Sequence, residues 1–100
     1  MPEVNHIDQF NGSLSSNERF ILKFNRIIDD NLGNERFGVS ELADSMDLSR
    51  MQVYRRVQKL TGKNVSQYIR EKRLQYARDL LIREAGTVSE IAYRSGFGSP

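Results

Sequence analysis

One hundred residues, 38% hydrophobic and 28% charged, fit one globular domain, because a chain of ~100 residues buries only roughly two thirds of its extended surface, too little for two separate cores. No run approaches the ~18 to 20 apolar residues of a membrane span. The start, Met1-Pro2-Glu3-Val4-Asn5-His6, lacks the basic and apolar regions of a signal peptide, so the domain is expected in the cytoplasm without membrane contact. With no cysteine and a single histidine, His6, the chain offers no disulfide, no thiolate nucleophile and no His-rich metal cluster. No cofactor is expected, and no enzyme activity of this segment, since the carboxylates fall mostly at helix starts and on exposed faces.

The net charge of +2 conceals an uneven distribution. Residues 1–15 sum to −2, residues 16–47 to −3, and residues 74–100 to zero. The stretch 48–73 holds Arg50, Arg55, Arg56, Lys59, Lys63, Arg70, Lys72 and Arg73 against Glu71 alone, a charge of +7. A basic block on an otherwise neutral or acidic small domain is the electrostatic footprint of polyanion binding, although a solvated helix face gives the same count.

Residues 1–15 are polar and without period, and read as a linker or disordered arm. Ser15-Ser16-Asn17-Glu18 then has capping-box spacing, a hydroxyl three residues before a glutamate. Phe20, Phe24, Ile27, Ile28 and Asn31 follow at helical spacing until Gly33, which predicts a first helix over 16–32. Gly38-Val39-Ser40-Glu41 opens a short second helix with Leu42, Ala43 and Met46 on its apolar face, and Phe37 is placed to staple onto Leu42. Ser49 caps again, with Gln52 three residues on, so a third helix starts after a tight turn and runs to Thr61-Gly62 with Val53, Val57 and Leu60 inward. Two helices joined so closely predict a helix-turn-helix over 38–62.

Asn64 starts a fourth helix, 65–84, whose apolar residues Tyr68, Ile69, Leu74, Tyr76, Ala77, Leu80 and Leu81 cover more than one face, as expected of a helix buried on two sides. Gly86 closes it, and Thr87-Val88-Ser89-Glu90 starts a fifth. Shifting the chain by 49 residues lays Val39-Ser40-Glu41-Leu42-Ala43 on Val88-Ser89-Glu90-Ile91-Ala92 without a gap, and Leu48 on Phe97. Both copies sit on a short helix followed by a tight turn, so 87–100 reads as half of a second helix-turn-helix.

At this point the chain resembles the DNA-binding domain of the AraC/XylS family of bacterial transcription activators. The residues that carry the likeness are Leu42-Ala43, Leu48-Ser49, Leu60-Thr61-Gly62, Tyr68-Ile69 with Arg73-Leu74 and Ala77, and Glu90-Ile91-Ala92 with Gly96-Phe97. The first helix and Tyr54-Arg55 further resemble the version at the C-terminus of hybrid two-component sensor-regulators. The resemblance implies an all-α fold: a homeodomain-like three-helix unit, a long linker helix and the start of a second helix-turn-helix. Family members continue through a second recognition helix, so the segment 16–100 is expected to be an incomplete copy, cut near Ser99, and kinase activity is expected only elsewhere in a longer parent.

At 100° per residue, with Val53, Val57 and Leu60 inward, the outer face of the third helix presents Met51, Tyr54, Arg55 and Gln58. The N-terminal part of a recognition helix reads base edges, which makes Arg50, Met51, Tyr54 and Arg55 the base-contact candidates. Arg55 can donate twice to guanine, and Met51 and Tyr54 can touch a thymine methyl. The resemblance agrees for Met51 and Arg55. Lys59 and Arg70 are phosphate candidates. Arg56 borders the buried face and lays its stem on the core with its head reaching solvent or phosphate, and it stands with them as a phosphate candidate. Arg73 shares a stripe with Ile69, Tyr76 and Leu80 and is expected to be a structural arginine satisfied by carbonyls or a carboxylate. Tyr93 and Arg94 lie where the family packs or touches phosphate or RNA polymerase, and neither is assigned.

The expected function is sequence-specific binding of double-stranded DNA through the major groove, as the output domain of a transcription regulator in a two-component system. The alternative is a helical interaction or dimerisation domain whose basic face meets an acidic partner. Two further partners are expected: RNA polymerase, and a second copy pairing through the fifth helix, where Ile91, Ala92 and Phe97 would lack cover and the chain would otherwise fray after Gly86.

Overall fold

A computed structural model describes residues 14–98 as five helices: α1 (Ser16–Asp30), α2 (Val39–Met46), α3 (Arg50–Thr61), α4 (Val65–Ile82) and α5 (Val88–Arg94). No strand occurs among the described residues. The expected arm and His6 lie outside them, apart from Leu14, which is buried, and Ser15, which caps α1.

Each helix starts where a side chain can close its open N–H groups. Ser15 Oγ accepts from the Glu18 N–H at 3.1 Å while the Ser15 N–H donates to Glu18 Oε1 at 2.8 Å. The same reciprocal pair recurs between Ser49 and Gln52 and between Thr87 and Glu90. Gly38 donates to Glu41, and Asn64 Oδ1 accepts from the Gln67 N–H. The backbone hydrogen bonds from Ser15 and Thr87, reinforced by their side chains, hold the Glu18 and Glu90 carboxyls below the ordinary carboxylate range.

That gives the chain an acid-sensitive and an acid-insensitive kind of helix start. A carboxyl with a depressed folded pKa stabilises fully above its unfolded pKa of ~4.3 and loses that contribution as pH falls through the folded value. Gln52 does not titrate. Acidification from pH 6 to ~3 is therefore expected to lower hydrogen-exchange protection, corrected for intrinsic rate, at the Ser15 and Thr87 amides but not at Ser49. Equal losses at all three would remove the carboxylates from this role.

Phe20, Phe24 and Ile28 of α1 pack against Leu42, Ala43 and Met46 of α2, Val53 and Val57 of α3, and Val65 and Ile69 of α4, with Phe37 closing the loop side. Phe24 is central: its ring stacks on Phe20 at 5.9 Å and tilts against Tyr68 at 5.0 Å. The Tyr68 hydroxyl, carried to the core edge, donates to Asn25 Oδ1 at 2.7 Å. The staple position is filled as expected, Phe37 joining Leu42 in the core, and Leu48, just before α3, packs against the same core.

The 49-residue offset is visible in the backbone. After α2, the Leu48 N–H bonds the Ala43 carbonyl at 3.0 Å and the Asp47 N–H that of Asp44 at 3.1 Å. After α5, Phe97 bonds Ala92 at 3.0 Å and Gly96 bonds Tyr93 at 3.1 Å. Both are Schellman endings, with Asp47 (φ 58°) and Gly96 (φ 84°) in the left-handed position.

Three expectations need correction. First, α1 ends at Asp30, where Asn31 takes the cap and its side-chain amide donates to the Ile27 carbonyl; α4 ends at Ile82, with Glu84 at φ 51° supplying the left-handed residue that Gly86 was expected to mark. Second, α4 is covered along one face only. Ile69, Arg73, Tyr76 and Leu80 share that face, while Leu74 (47% exposed) and Leu81 (50%) lie more than a quarter turn away and stay open to solvent. Third, Ile91 is not uncovered: it is 2% exposed, because α5 folds back on α4 next to buried Leu80, and Ser95 is fully buried with its hydroxyl donating to the Ile91 carbonyl. Residues 88–94 form a helix and residues 95–98 a turn. Ala92 is half-buried, and Val88, Tyr93 and Phe97 remain the open apolar side chains there.

Candidate nucleic-acid interface

The α2–α3 turn aims α3. Asp47 in the left-handed region reverses the chain, Ser49 restarts it, and Val53 and Val57, both fully buried, fix the rotation of α3 about its axis. What points away follows from 100° per residue. Met51 is 57% exposed and Tyr54 41%, and Arg50, Arg55, Gln58 and Lys59 are exposed with them. Met51, Tyr54 and Arg55 thus share the outer face of the N-terminal part of α3, and Arg50 is exposed in its first turn. Two large apolar side chains, Met51 and Tyr54, are open to solvent beside two arginines and lie outside the buried core.

The structure divides the eight basic residues of the block 48–73 into two sets. Lys63 pairs with Glu71, Lys72 with Asp29 at 2.8 Å, Arg73 is bound to main-chain carbonyls, and Arg56 is turned toward α1. The Arg56 guanidinium carbon lies 4.2 Å above the Phe20 ring centre, and Nη2 donates to Asn17 Oδ1 at 3.2 Å. Arg50, Arg55, Lys59 and Arg70 have no ion pair or side-chain hydrogen bond among the described residues, so the free positive charge is concentrated on α3 and the first turns of α4. Sequence reading placed Arg56 near the core but could not find Asn17 and Phe20, 39 and 36 residues away, as its partners. Because that cation–π contact is partly solvated, Arg56→Ala is expected to cost roughly 1 kcal/mol of stability, and a thermal melt unchanged within a degree would overturn the contact's importance.

Arg73 stands where its stripe placed it. Its Nη2 donates to the Asn34 carbonyl at 2.8 Å and the Phe37 carbonyl at 3.1 Å, both in the α1–α2 loop. Burial pulls its pKa below the ordinary arginine value, with the Glu35 carboxylate opposing, and Nε is buried without a hydrogen-bond partner among the described residues. Of the two unassigned residues, Arg94 donates to the Ala85 carbonyl at 3.1 Å and Tyr93 is exposed. No group of acidic residues or histidine suited to a metal occurs among the described residues, and no helix of the structure is long and apolar enough to cross a membrane.

Comparison with known proteins agrees with the helix-turn-helix fold. A family model described as a helix-turn-helix domain matches residues 42–100. Histidine kinase P4 of Formosa agariphila is 31% identical over 96 residues, which cover 95% of this chain and 7% of that protein, so the chain spans a small fraction of its relative's length. The C-terminal domain of the two-component response regulator yesN from Fusobacterium nucleatum superposes with a TM-score of 0.71 at 28% identity, over 76% of this chain and 78% of that one.

Proposed function

We propose, from the premise that the chain belongs to the AraC-type helix-turn-helix family, that it binds double-stranded DNA sequence-specifically by placing α3 in the major groove. One observation carries this reading: Met51, Tyr54 and Arg55 stand exposed on one face, with Arg50 exposed beside them in the first turn and neither arginine paired among the described residues, while the core locks the opposite face. A groove ~12 Å wide accepts an α-helix, and the pattern of donors, acceptors and methyl groups on its floor distinguishes all four base pairs. Arg55 is the residue for a bidentate contact to guanine. Met51 and Tyr54 supply apolar surface for a thymine methyl, and Arg50 reaches a base or flanking edge from the first turn.

Lys59 and Arg70 contact phosphates, adding affinity without sequence information. Arg56 can join them only with the donors left over from Asn17, since its place over Phe20 fixes its stem. The wider reading is the output domain of a bacterial two-component regulator, supported by a histidine kinase and a response-regulator domain among the similar proteins. Any kinase activity then belongs to other parts of a longer protein.

Selection of duplexes from random DNA tests this. The selected site is expected to bind at least ~10³-fold more tightly than scrambled duplex. A ratio near one would return the chain to the other class, a basic-faced protein-interaction domain.

A further inference from the structure

The α1–α2 loop and the exit turn of α5 come from opposite ends of the chain, yet their backbones touch. A Cβ on Gly96 would collide with the Leu32 carbonyl oxygen and lie 2.7 Å from Arg73 Nε. A Cβ on Gly33 would lie 3.1 Å from the Arg94 carbonyl oxygen. Arg73, from the middle of α4, fills the space between, tied to the Asn34 and Phe37 carbonyls on one side and pressed against Gly96 on the other. The main core ends at Ile69, and Leu80 and Ile91 are buried outside it. Without this junction only the single helix α4 would join the unit that presents α3 to the unit built around α5.

We propose that Arg73, Gly33 and Gly96 form a lock that fixes α5 relative to α3, and are thereby positioning residues for DNA recognition although none of them reaches DNA. This rests for its consequence on the DNA-binding reading and on the unit around α5, the second copy of the repeat, meeting the same duplex, but not for its geometry. A helix of 18 residues can bend and its C-terminal half can swing. Contact at three points, two of them backbone against backbone, removes that freedom. Both bonds leave one nitrogen, Nη2, which stands one bond farther from the backbone than a lysine ammonium, so lysine at this position falls short of the two carbonyls and has no planar group to lie against Gly96.

The glycines separate two effects that glycine substitutions usually mix. Gly62 (φ 75°) and Gly96 (φ 84°) both need the left-handed region, but a Cβ at Gly62 meets nothing within 4 Å. Gly62→Ala therefore introduces backbone strain alone, and Gly96→Ala introduces strain and a collision. Gly33 lacks a positive φ, so Gly33→Ala introduces the close approach alone.

The chain has no cysteine, so spin labels can be placed at will. Ser40→Cys on α2 and Ser89→Cys on α5 occupy equivalent exposed positions of the two copies. The label-to-label distance distribution in the full chain is expected to be narrow, unchanged by Gly62→Ala, shifted by a few tenths of an ångström or slightly broadened by Gly33→Ala, and at least doubled in width by Arg73→Lys and Gly96→Ala. Circular dichroism confirms that each variant retains its helices, and Arg73→Lys serves as the decisive variant should Gly96→Ala unfold. A distribution as narrow in Arg73→Lys as in wild type would overturn the lock whatever the DNA results. On a selected site, inserting one base pair at successive positions is expected to cost wild type tenfold or more at one of them and Arg73→Lys less than threefold there. If wild type tolerates every insertion, the claim that the lock acts on recognition fails; if wild type discriminates no duplex at all, the DNA-binding reading fails and the distance measurement alone decides the lock.

Discussion

Arg55→Ala is expected to weaken binding to the selected duplex by about 1 to 3 kcal/mol, roughly 5- to 150-fold, and to flatten the preference at one base pair. Lys59→Ala, on the flank of the same helix, is expected to weaken every duplex alike and to lower the salt slope by about one. Both side chains are exposed and without intramolecular partners among the described residues, so neither substitution should move the thermal midpoint by more than ~0.5 kcal/mol equivalent. The lost affinity can then be read as lost contact instead of partial unfolding.

Arg55→Lys sharpens the test, because it keeps the charge and removes the fork. A base-reading arginine loses specificity on this change while keeping its salt dependence; a phosphate-contacting one keeps both almost intact. Titrations on selected and scrambled duplexes at several salt concentrations separate the outcomes. Equal losses on both duplexes for Arg55→Ala would take Arg55 out of base reading.

What the sequence made legible was local. Every helix start rests on a side chain three residues from its partner, and all five were readable because such signals lie within one turn. The outer face of α3 was readable for the same reason: Val53 and Val57 fix the inward direction and 3.6 residues per turn fix the rest. The end of α4 was less legible, since Glu84 takes a left-handed conformation that its residue type does not announce.

The coverage of α4 and the burial of Ile91 depend on where α5 lands, a question of tertiary packing that periodicity does not answer. The basic block overstated the free charge. Lys72 pairs with Asp29 43 residues away, and Arg56 with Asn17, and nothing in a charge count distinguishes a cation aimed at solvent from one already taken. Gly96 could be read as a turn glycine, but its approach to the Leu32 carbonyl could not.

Arg73→Ala puts the opposite kind of basic residue to the test. Its guanidinium holds two carbonyls of the α1–α2 loop at 2.8 and 3.1 Å, and truncation leaves both acceptors and a hole between α4, that loop and Gly96. Hydrogen bonds to a charged donor contribute ~1.5 to 3 kcal/mol each, but two features reduce the sum. The site is partly open to water, and the buried Nε has no partner, a cost that the substitution relieves. A net loss of about 2 kcal/mol is expected, which for a domain of this size lowers the midpoint by ~8 to 16 °C. Non-specific DNA affinity at a temperature where the variant is folded should be unchanged, because the charge lost faces carbonyls and not solvent. Thermal denaturation alongside fluorescence titration with scrambled duplex measures both quantities. An unshifted midpoint with weaker scrambled-duplex binding and a lower salt slope would place Arg73 on phosphate, and the carbonyl bridge would then have no role in holding the two units together.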